Sequence, residues 1–542
     1  MKLDNTITTL YDIFLNTLQE FKERPSFSFV GGNTINYETF GANSNALCTI
    51  LAQNGIIKGD KIAILGANMP NWAVSYFAVT SMAAVAVPIL PDFTAFEIVN
   101  IIDHSETKAL IVSTKLEYKI PDNLRDKLLL IIRMDNFEII STKSPIENQE
   151  IEIERPDSQD LASLIYTSGT TGASKGVMLT HANLVAQTKM SQELFPITEN
   201  EVLLSILPLS HAYEFSIGML FPFSQGASVH YLNGAPTPSL LMPALKEVKP
   251  TMILSVPLIV EKIYKLKIRP LFTKNIFLRI LYSIRLIRRV LHKIAGKKLI
   301  ETFGGNLRFF GIGGSRLDGA VEQFLSDAGF PYSIGYGLTE TSPLLAGAIP
   351  GNVKWQSTGP ALKGIEMKIM NPNEKKIGEI IVKGPNVMKG YYKDPESTEA
   401  VFTPDGWFRT KDLGYIDKEG FLFIKGRKDN MIVGTNGENI YPEDIESIIN
   451  EVDLVLESLV LEKKGKLIAK VHFNYDEIKS GEYLIGESSN LSYDQRVIKL
   501  KREVLEFVND RVNKSSKIAE IIEQLAPFEK TATQKIKRYL YH

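Results

Sequence analysis

Cysteine is nearly absent: Cys48 stands alone among 542 residues. No intramolecular disulfide can form, and no zinc site built from cysteines. A reducing, cytoplasmic setting is expected. Net charge is nearly absent as well. Lys and Arg number 61 and Asp and Glu 62, a balance of −1, so no global field favours nucleic acid or a membrane surface. Internal repeats and low-complexity segments are missing, and Met1-Lys2-Leu3-Asp4-Asn5 lacks the layout of a signal peptide. Long unbroken apolar runs are missing too. Residues 68–91 carry no charge and would be long enough to span a bilayer. Pro70, Asn71, Ser75, Thr80, Ser81 and Pro88 interrupt them. A buried helix over 72–82 and a buried strand over 83–90 are expected instead.

What is present is an ordinary globular composition, with 44% hydrophobic and 23% charged residues. The length exceeds what one core can serve, so two or more domains are expected. Through the first 260 residues, strand-like runs alternate with helical patterns. Strands are expected at 61–66, 109–113, 161–165 and 201–207, and helices at 96–102 and 183–194. That alternation implies an α/β fold with a parallel sheet and covering helices. Residue 378 begins a β-rich subdomain of short strands and Gly/Pro turns. Gly426-Arg427-Lys428-Asp429-Asn430 reads as a linker to a small C-terminal α/β domain.

The stretch with the strongest chemical content is Tyr166-Thr167-Ser168-Gly169-Thr170-Thr171-Gly172-Ala173-Ser174-Lys175-Gly176. It follows an expected strand. Its hydroxyls can donate to phosphate oxygens, its glycines let backbone N–H groups approach a ligand, and Lys175 adds a charge. The Walker spacing is missing, which argues against a phosphate-loop ATPase. A flexible surface loop is the plainer reading of the same residues.

Three further stretches accompany it. His211 lies at the end of an expected strand, where α/β proteins place ligands; a structural histidine is the alternative. Gly313-Gly314-Ser315 forms a turn after an expected strand at 307–311. Gly335-Tyr336-Gly337-Leu338-Thr339-Glu340-Thr341 offers a ring face, a hydroxyl and a carboxylate able to hold Mg2+. Asp412, in the stretch Asp405-Gly406-Trp407-Phe408-Arg409-Thr410-Lys411-Asp412, can cap a turn or accept from two ribose hydroxyls.

Taken together and in this order, these motifs resemble the adenylate-forming (AMP-binding) superfamily, over nine-tenths of the chain. Among its members they are most similar to the bacterial long-chain acyl-CoA synthetases. The resemblance implies a large N-terminal domain over 1–425, with two α/β-layered sheets and a β-rich subdomain. It implies a hinge over 426–430 at Asp429 and a mobile C-terminal α/β domain over 431–542. It further implies ATP, Mg2+ and CoA as reactants with a fatty acid. Thr167, Ser168, Gly169, Thr170, Thr171, Gly172 and Lys175 would wrap the phosphates, and Thr167 and Glu340 would hold Mg2+. Gly313, Gly314, Ser315, Tyr336 and Gly337 would line the adenine pocket, with Asp412 and Arg427 on the ribose. His211 would line the acyl channel, Lys535 would reach the acyl carboxylate and the α-phosphate, and Thr339 would join His211, Glu340 and Lys535 as a catalytic residue. Three positions depart from the common pattern: Ser174 replaces Pro, Lys411 replaces Gly and Gln534 replaces Gly. Lys411 would place a second cation near the ribose. A medium-chain or aryl acid, an acyl-carrier protein as acceptor, and a catalytically silent nucleotide-binding protein are the alternatives.

Residues 262–300 stand apart, with twelve Lys or Arg and no acid. Residues 276–294 are expected to form one amphipathic helix, with Phe277, Ile280, Leu281, Ile284, Ile287, Leu291 and Ile294 on one side. Either it packs on its own domain or it makes peripheral contact with an anionic membrane.

Overall fold

The computed structural model describes residues 3–143, 152–167, 174–273, 276–433, 439–452, 454–480, 491–530 and 536–541. Two eight-stranded sheets, each parallel at its centre, share one core. In the first, Leu161–Thr167, Val85–Ile89, Lys61–Leu65, Thr107–Val112 and Leu130–Arg133 run parallel. Antiparallel strands close its edges: Ile139–Thr142 on one side, Lys175–Thr180 and then Gly390–Tyr391 on the other. In the second, Pro25–Phe29, Ser228–Tyr231, Val202–Ser205, Met252–Ser255, Phe309–Ile312 and Tyr332–Gly337 run parallel.

Strand period explains how the layers are made. Ile62 and Ile64 join the core between the sheets, while Ala63 and Leu65 face the outer helical layer. Between the sheets lie aromatic rings from several helices and strands. Phe77 and Phe223 are 4.3 Å apart, and Phe14 lies 5.6 Å from Phe77. Full burial of one such ring contributes on the order of 2 kcal/mol. The uncharged run over 68–91 becomes the buried helix Pro70–Ser81 and the buried strand Val85–Ile89, as its interruptions suggested. Among the described residues, no helix is long and apolar enough to cross a membrane.

The β-rich segment is a four-stranded antiparallel sheet, Glu366–Met370, Gly378–Lys383, Phe408–Ile416 and Leu422–Arg427. Beyond it, helices Pro442–Asn450 and Tyr493–Asn509 pack on the strands Val455–Lys463, Lys466–Phe473 and Ile518–Glu523. Their apolar cluster, from Ile440 to Ile521, is separate from the large one. Polar contacts tie this unit to the rest. Lys425 Nζ lies 3.2 Å from Asp444 Oδ2, and Lys265 Nζ donates to the Asn450 carbonyl at 2.8 Å.

One expected element is different. Residues 276–294 are not a single helix but parts of two, Ile276–Ser283 and Arg285–Thr302, broken at Ile284 (φ −78°, ψ 113°). The bend lets Tyr282 stack on Phe272 and bond to His292. The apolar stripe is also displaced. Phe277, Ile280, Ile284 and Ile294 are exposed, while Leu281, Ile287 and Leu291 are half-buried.

Candidate active site

The site forms where the first sheet's edge meets the end of the second and the four-stranded sheet. Thr167 and Lys175 are cross-strand partners at the tips of Leu161–Thr167 and Lys175–Thr180. The loop residues between them, Ser168, Gly169, Thr170, Thr171 and Gly172, lie outside the described residues, as do Lys535 and the Gly434 to Gly437 loop. Lys175 Nζ donates to Ser397 Oγ at 2.6 Å and sits 5.0 Å from the centre of the Tyr391 ring. The Tyr391 hydroxyl donates to Glu340 Oε1 at 2.9 Å. Burial, and then the Glu340 carboxylate, push the Tyr391 phenol up, so it keeps its proton and donates.

Glu340 lies in the short 3-10 turn Thr339–Thr341, which follows Tyr332–Gly337. Gly337 is needed where the chain folds back: a Cβ there would lie 1.7 Å from the Pro343 carbonyl oxygen. Tyr336, on the strand, is buried and donates to Asp412 Oδ2 at 2.8 Å. Asp412 and Arg427 are cross-strand partners, with Arg427 Nε 3.3 Å from Asp412 Oδ1. Burial opposes the Arg427 charge, but Asp412, Tyr336 and Glu340 outweigh it and raise its affinity for the proton. The two groups of residues therefore share one electrostatic neighbourhood.

A third group closes the site from the second sheet. His211 follows Val202–Ser205, and its Nδ1 accepts from the Tyr213 backbone N–H at 3.3 Å. A neutral His211 then carries its proton on Nε2. The Tyr213 ring lies against Gly313, where a Cβ would be 3.2 Å from Tyr213 Cε1. Gly314 has φ +94°, a conformation that favours glycine, and Ser315 is exposed.

These residues fit a nucleotide with its metal. Arg427 Nε is buried and makes no well-aligned hydrogen bond although Asp412 Oδ1 lies 3.3 Å away, so a ligand acceptor could take the place of that contact. Among the described residues no three His, Cys, Asp or Glu side chains are grouped to hold a metal ion. One carboxylate, Glu340, with the Thr167 hydroxyl suits Mg2+, which takes few protein ligands and shares substrate phosphates.

The sequence pattern described as AMP-binding enzyme matches residues 14–392. The chain belongs to the AMP-binding enzyme family. Two curated relatives are similar over most of their length. The long-chain-fatty-acid–CoA ligase FadD15 of Mycobacterium bovis is 30% identical over 75% of this chain and 72% of its own. A long-chain-fatty-acid–CoA ligase of Bacillus subtilis is 29% identical over 83% of this chain and 82% of its own. Among solved structures, the O-succinylbenzoate coenzyme A synthetase MenE of Bacillus subtilis, in complex with ATP and magnesium ion, superimposes with a TM-score of 0.76. It is 25% identical and covers 97% of this chain and 98% of its own.

In this AMP-binding enzyme, sequence reasoning missed Tyr391, Ser397 and Tyr213. Tyr391 stood in the motif Gly390-Tyr391-Tyr392, but nothing in that motif says that its strand pairs with Lys175–Thr180. The reading of Lys411 also changes. Lys411 is exposed and its Nζ lies 3.9 Å from Asp429 Oδ2, at the linker. Its φ of +60° lies in the left-handed region that favours glycine.

Proposed function

We propose that this AMP-binding enzyme is an ATP-dependent, AMP-forming ligase that joins a long-chain fatty acid to CoA. One observation carries the reading. The run Lys175, Tyr391 and Glu340, suited to phosphates, adjoins the run Tyr336, Asp412 and Arg427, suited to a nucleoside. The names of the two curated ligases supply the acid and the thiol.

Chemically, a carboxylate is a poor electrophile. Its attack on the α-phosphate of ATP gives an acyl-adenylate and pyrophosphate. The carboxylate is already ionised, so no general base is required. Thr167 to Lys175 would wrap the phosphates, and Lys535 would offset charge at the α-phosphate and acyl carboxylate. Thr167 and Glu340 would hold Mg2+, which supplies neutralisation of phosphate charge when bound. Asp412 and Arg427 would hold the ribose. Tyr336, with Gly313, Gly314, Ser315 and Gly337, would line the adenine pocket. His211 would border the acyl channel, and Thr339, in the same turn as Glu340, would act beside it in catalysis. The CoA thiolate then attacks the acyl carbon, and AMP leaves.

The two steps would use two arrangements of one chain. Residues 1–425 form the nucleotide and acyl body, 426–430 the hinge at Asp429, and 431–542 the moving unit. Rotation would withdraw Lys535 and bring the Gly434 to Gly437 loop toward the thiol. A cytoplasmic setting belongs to the same reading, with free CoA or an acyl-carrier protein as acceptor. The likeness to the synthetase MenE keeps an aryl acid as the second reading. A panel of fatty acids of rising chain length, with aryl acids beside them, tests this. AMP is measured with CoA present and absent. Highest CoA-dependent AMP formation with long chains is expected; highest formation with aryl acids would overturn the fatty-acid assignment.

A further inference from the structure

The corner between helices Ile276–Ser283 and Arg285–Thr302 is fixed from inside by three anchors. Tyr282 stacks on Phe272 at 5.2 Å, and its hydroxyl is 2.8 Å from His292 Nε2. His292 Nδ1 is 3.1 Å from Asp327 Oδ2. Gly296 approaches helix Gly319–Ala328 so closely that a Cβ on it would be 2.5 Å from the Ala328 Cβ. With His292 and Gly296 facing inward, helical geometry decides what faces out. Outward at spacings of four run Leu286, Val290 and Ile294, which are 75%, 58% and 64% exposed. Arg285, Lys293 and Lys297 occupy the neighbouring row and are exposed too. On the shorter helix, Phe277 and Ile280 are 65% and 59% exposed.

A helix on a soluble surface normally turns such side chains inward. Here five large apolar residues on two successive helices stand in solvent, three of them in one row, which marks an interaction surface. Charge narrows the partner. The segment 262–300 carries twelve cations and no acid, although the whole chain has a net charge of −1. Apolar rows bordered by Arg and Lys are the pattern of helices lying in a bilayer interface. No described helix can cross a bilayer, so the contact would be peripheral.

We propose that this two-helix corner docks the protein on an anionic lipid bilayer. Phe277, Ile280, Leu286, Val290 and Ile294 enter the headgroup layer, and the exposed cations meet lipid phosphates. Arg289 is not part of this contact, because its Nε lies 3.4 Å from Asp327 Oδ1. The docking goes beyond the ligase reading and does not depend on it.

The test is sedimentation of the full chain with phosphatidylcholine vesicles, with and without phosphatidylglycerol. One variant carries Arg285→Gln, Lys293→Gln and Lys297→Gln, and another Leu286→Ser, Val290→Ser and Ile294→Ser. All six positions are exposed, and unchanged melting temperatures confirm folding. Each cation near an anionic surface contributes about a fivefold factor. Wild type should bind the phosphatidylglycerol vesicles at low salt and leave them at high salt. The charge variant should partition about 100-fold more weakly, and the serine variant should lose binding as well. Absence of wild-type binding, or equal binding by all three proteins, overturns the proposal. So does self-association without vesicle binding that both variants abolish, which would assign the face to a second copy of the chain.

Discussion

Asp412 divides its two carboxylate oxygens between Arg427, 3.3 Å away across an antiparallel pair, and the Tyr336 hydroxyl at 2.8 Å. One side chain thus sets the positions of a cation and a ring that come from distant parts of the sequence. If these hold the nucleoside, Asp412→Asn should keep the shape and lose the charge. A charge-assisted hydrogen bond is worth about 1.5–3 kcal/mol. The KM for ATP should rise roughly 10- to 100-fold, while the KM for the fatty acid stays the same. Initial rates with each substrate varied would check this. An equal rise in both would assign Asp412 to folding.

Glu340 accepts from Tyr391 through Oε1. Glu340→Gln keeps an acceptor oxygen for that bond and removes the charge. Pyrophosphate release with fatty acid should fall about 100-fold or more, and added Mg2+ should recover part of it. ATP binding measured by calorimetry without Mg2+ should be unchanged. A matching loss of metal-free binding would contradict a metal role for Glu340.

Asp429 sits in the short turn Lys428–Asn430, with Lys411 Nζ 3.9 Å from its carboxylate. Proline fixes φ and removes a donor, so Asp429→Pro should hold one arrangement of the two bodies. Acyl-adenylate should still form, and its conversion to thioester on adding CoA should fail. Unchanged overall turnover in this variant would remove the case for a moving C-terminal unit.

Glu214, next to Tyr213 behind the His211 turn, is fully buried, and burial pushes its carboxyl up from 4.5 to about 8. The folded protein keeps a proton that the unfolded chain releases near pH 4.5. Its contribution to stability is therefore largest below that pH. It falls by about 1.4 kcal/mol per pH unit until the folded group ionises. Glu214→Gln lacks this slope. The melting temperature of the variant relative to wild type should rise between pH 5 and pH 8, read by scanning fluorimetry. A difference that stays constant across that range would show that Glu214 is ionised in the folded state.

Much of this was legible in the residues. The apolar run before the Tyr-Thr-Ser-Gly stretch announced a strand, and Leu161–Thr167 is one. The alternation of apolar runs likewise gave the layered sheets. Pairings between distant strands were not legible. Tyr391 reaches Lys175 and Glu340 only because Gly390–Tyr391 adds to the edge of Lys175–Thr180. Nor was the bend at Ile284, because periodicity reports faces and not breaks. The consequence was large: the expected apolar stripe is partly turned to solvent, and Leu286, which lies among cations in the sequence, is 75% exposed. Lys411 shows a third limit, since its distance from Asp429 depends on a backbone φ of +60°.

In the proposed reaction a carboxylate attacks the α-phosphate of ATP. Fatty acid labelled with 18O in both carboxylate oxygens tests it most directly, with ATP, Mg2+ and CoA supplied. Attack forms an oxygen bridge between acyl carbon and phosphorus, and the thiol later breaks the carbon–oxygen side of that bridge. Mass spectrometry of the nucleotide product should find AMP carrying one 18O atom. Unlabelled AMP, or ADP with label in inorganic phosphate, would contradict the account.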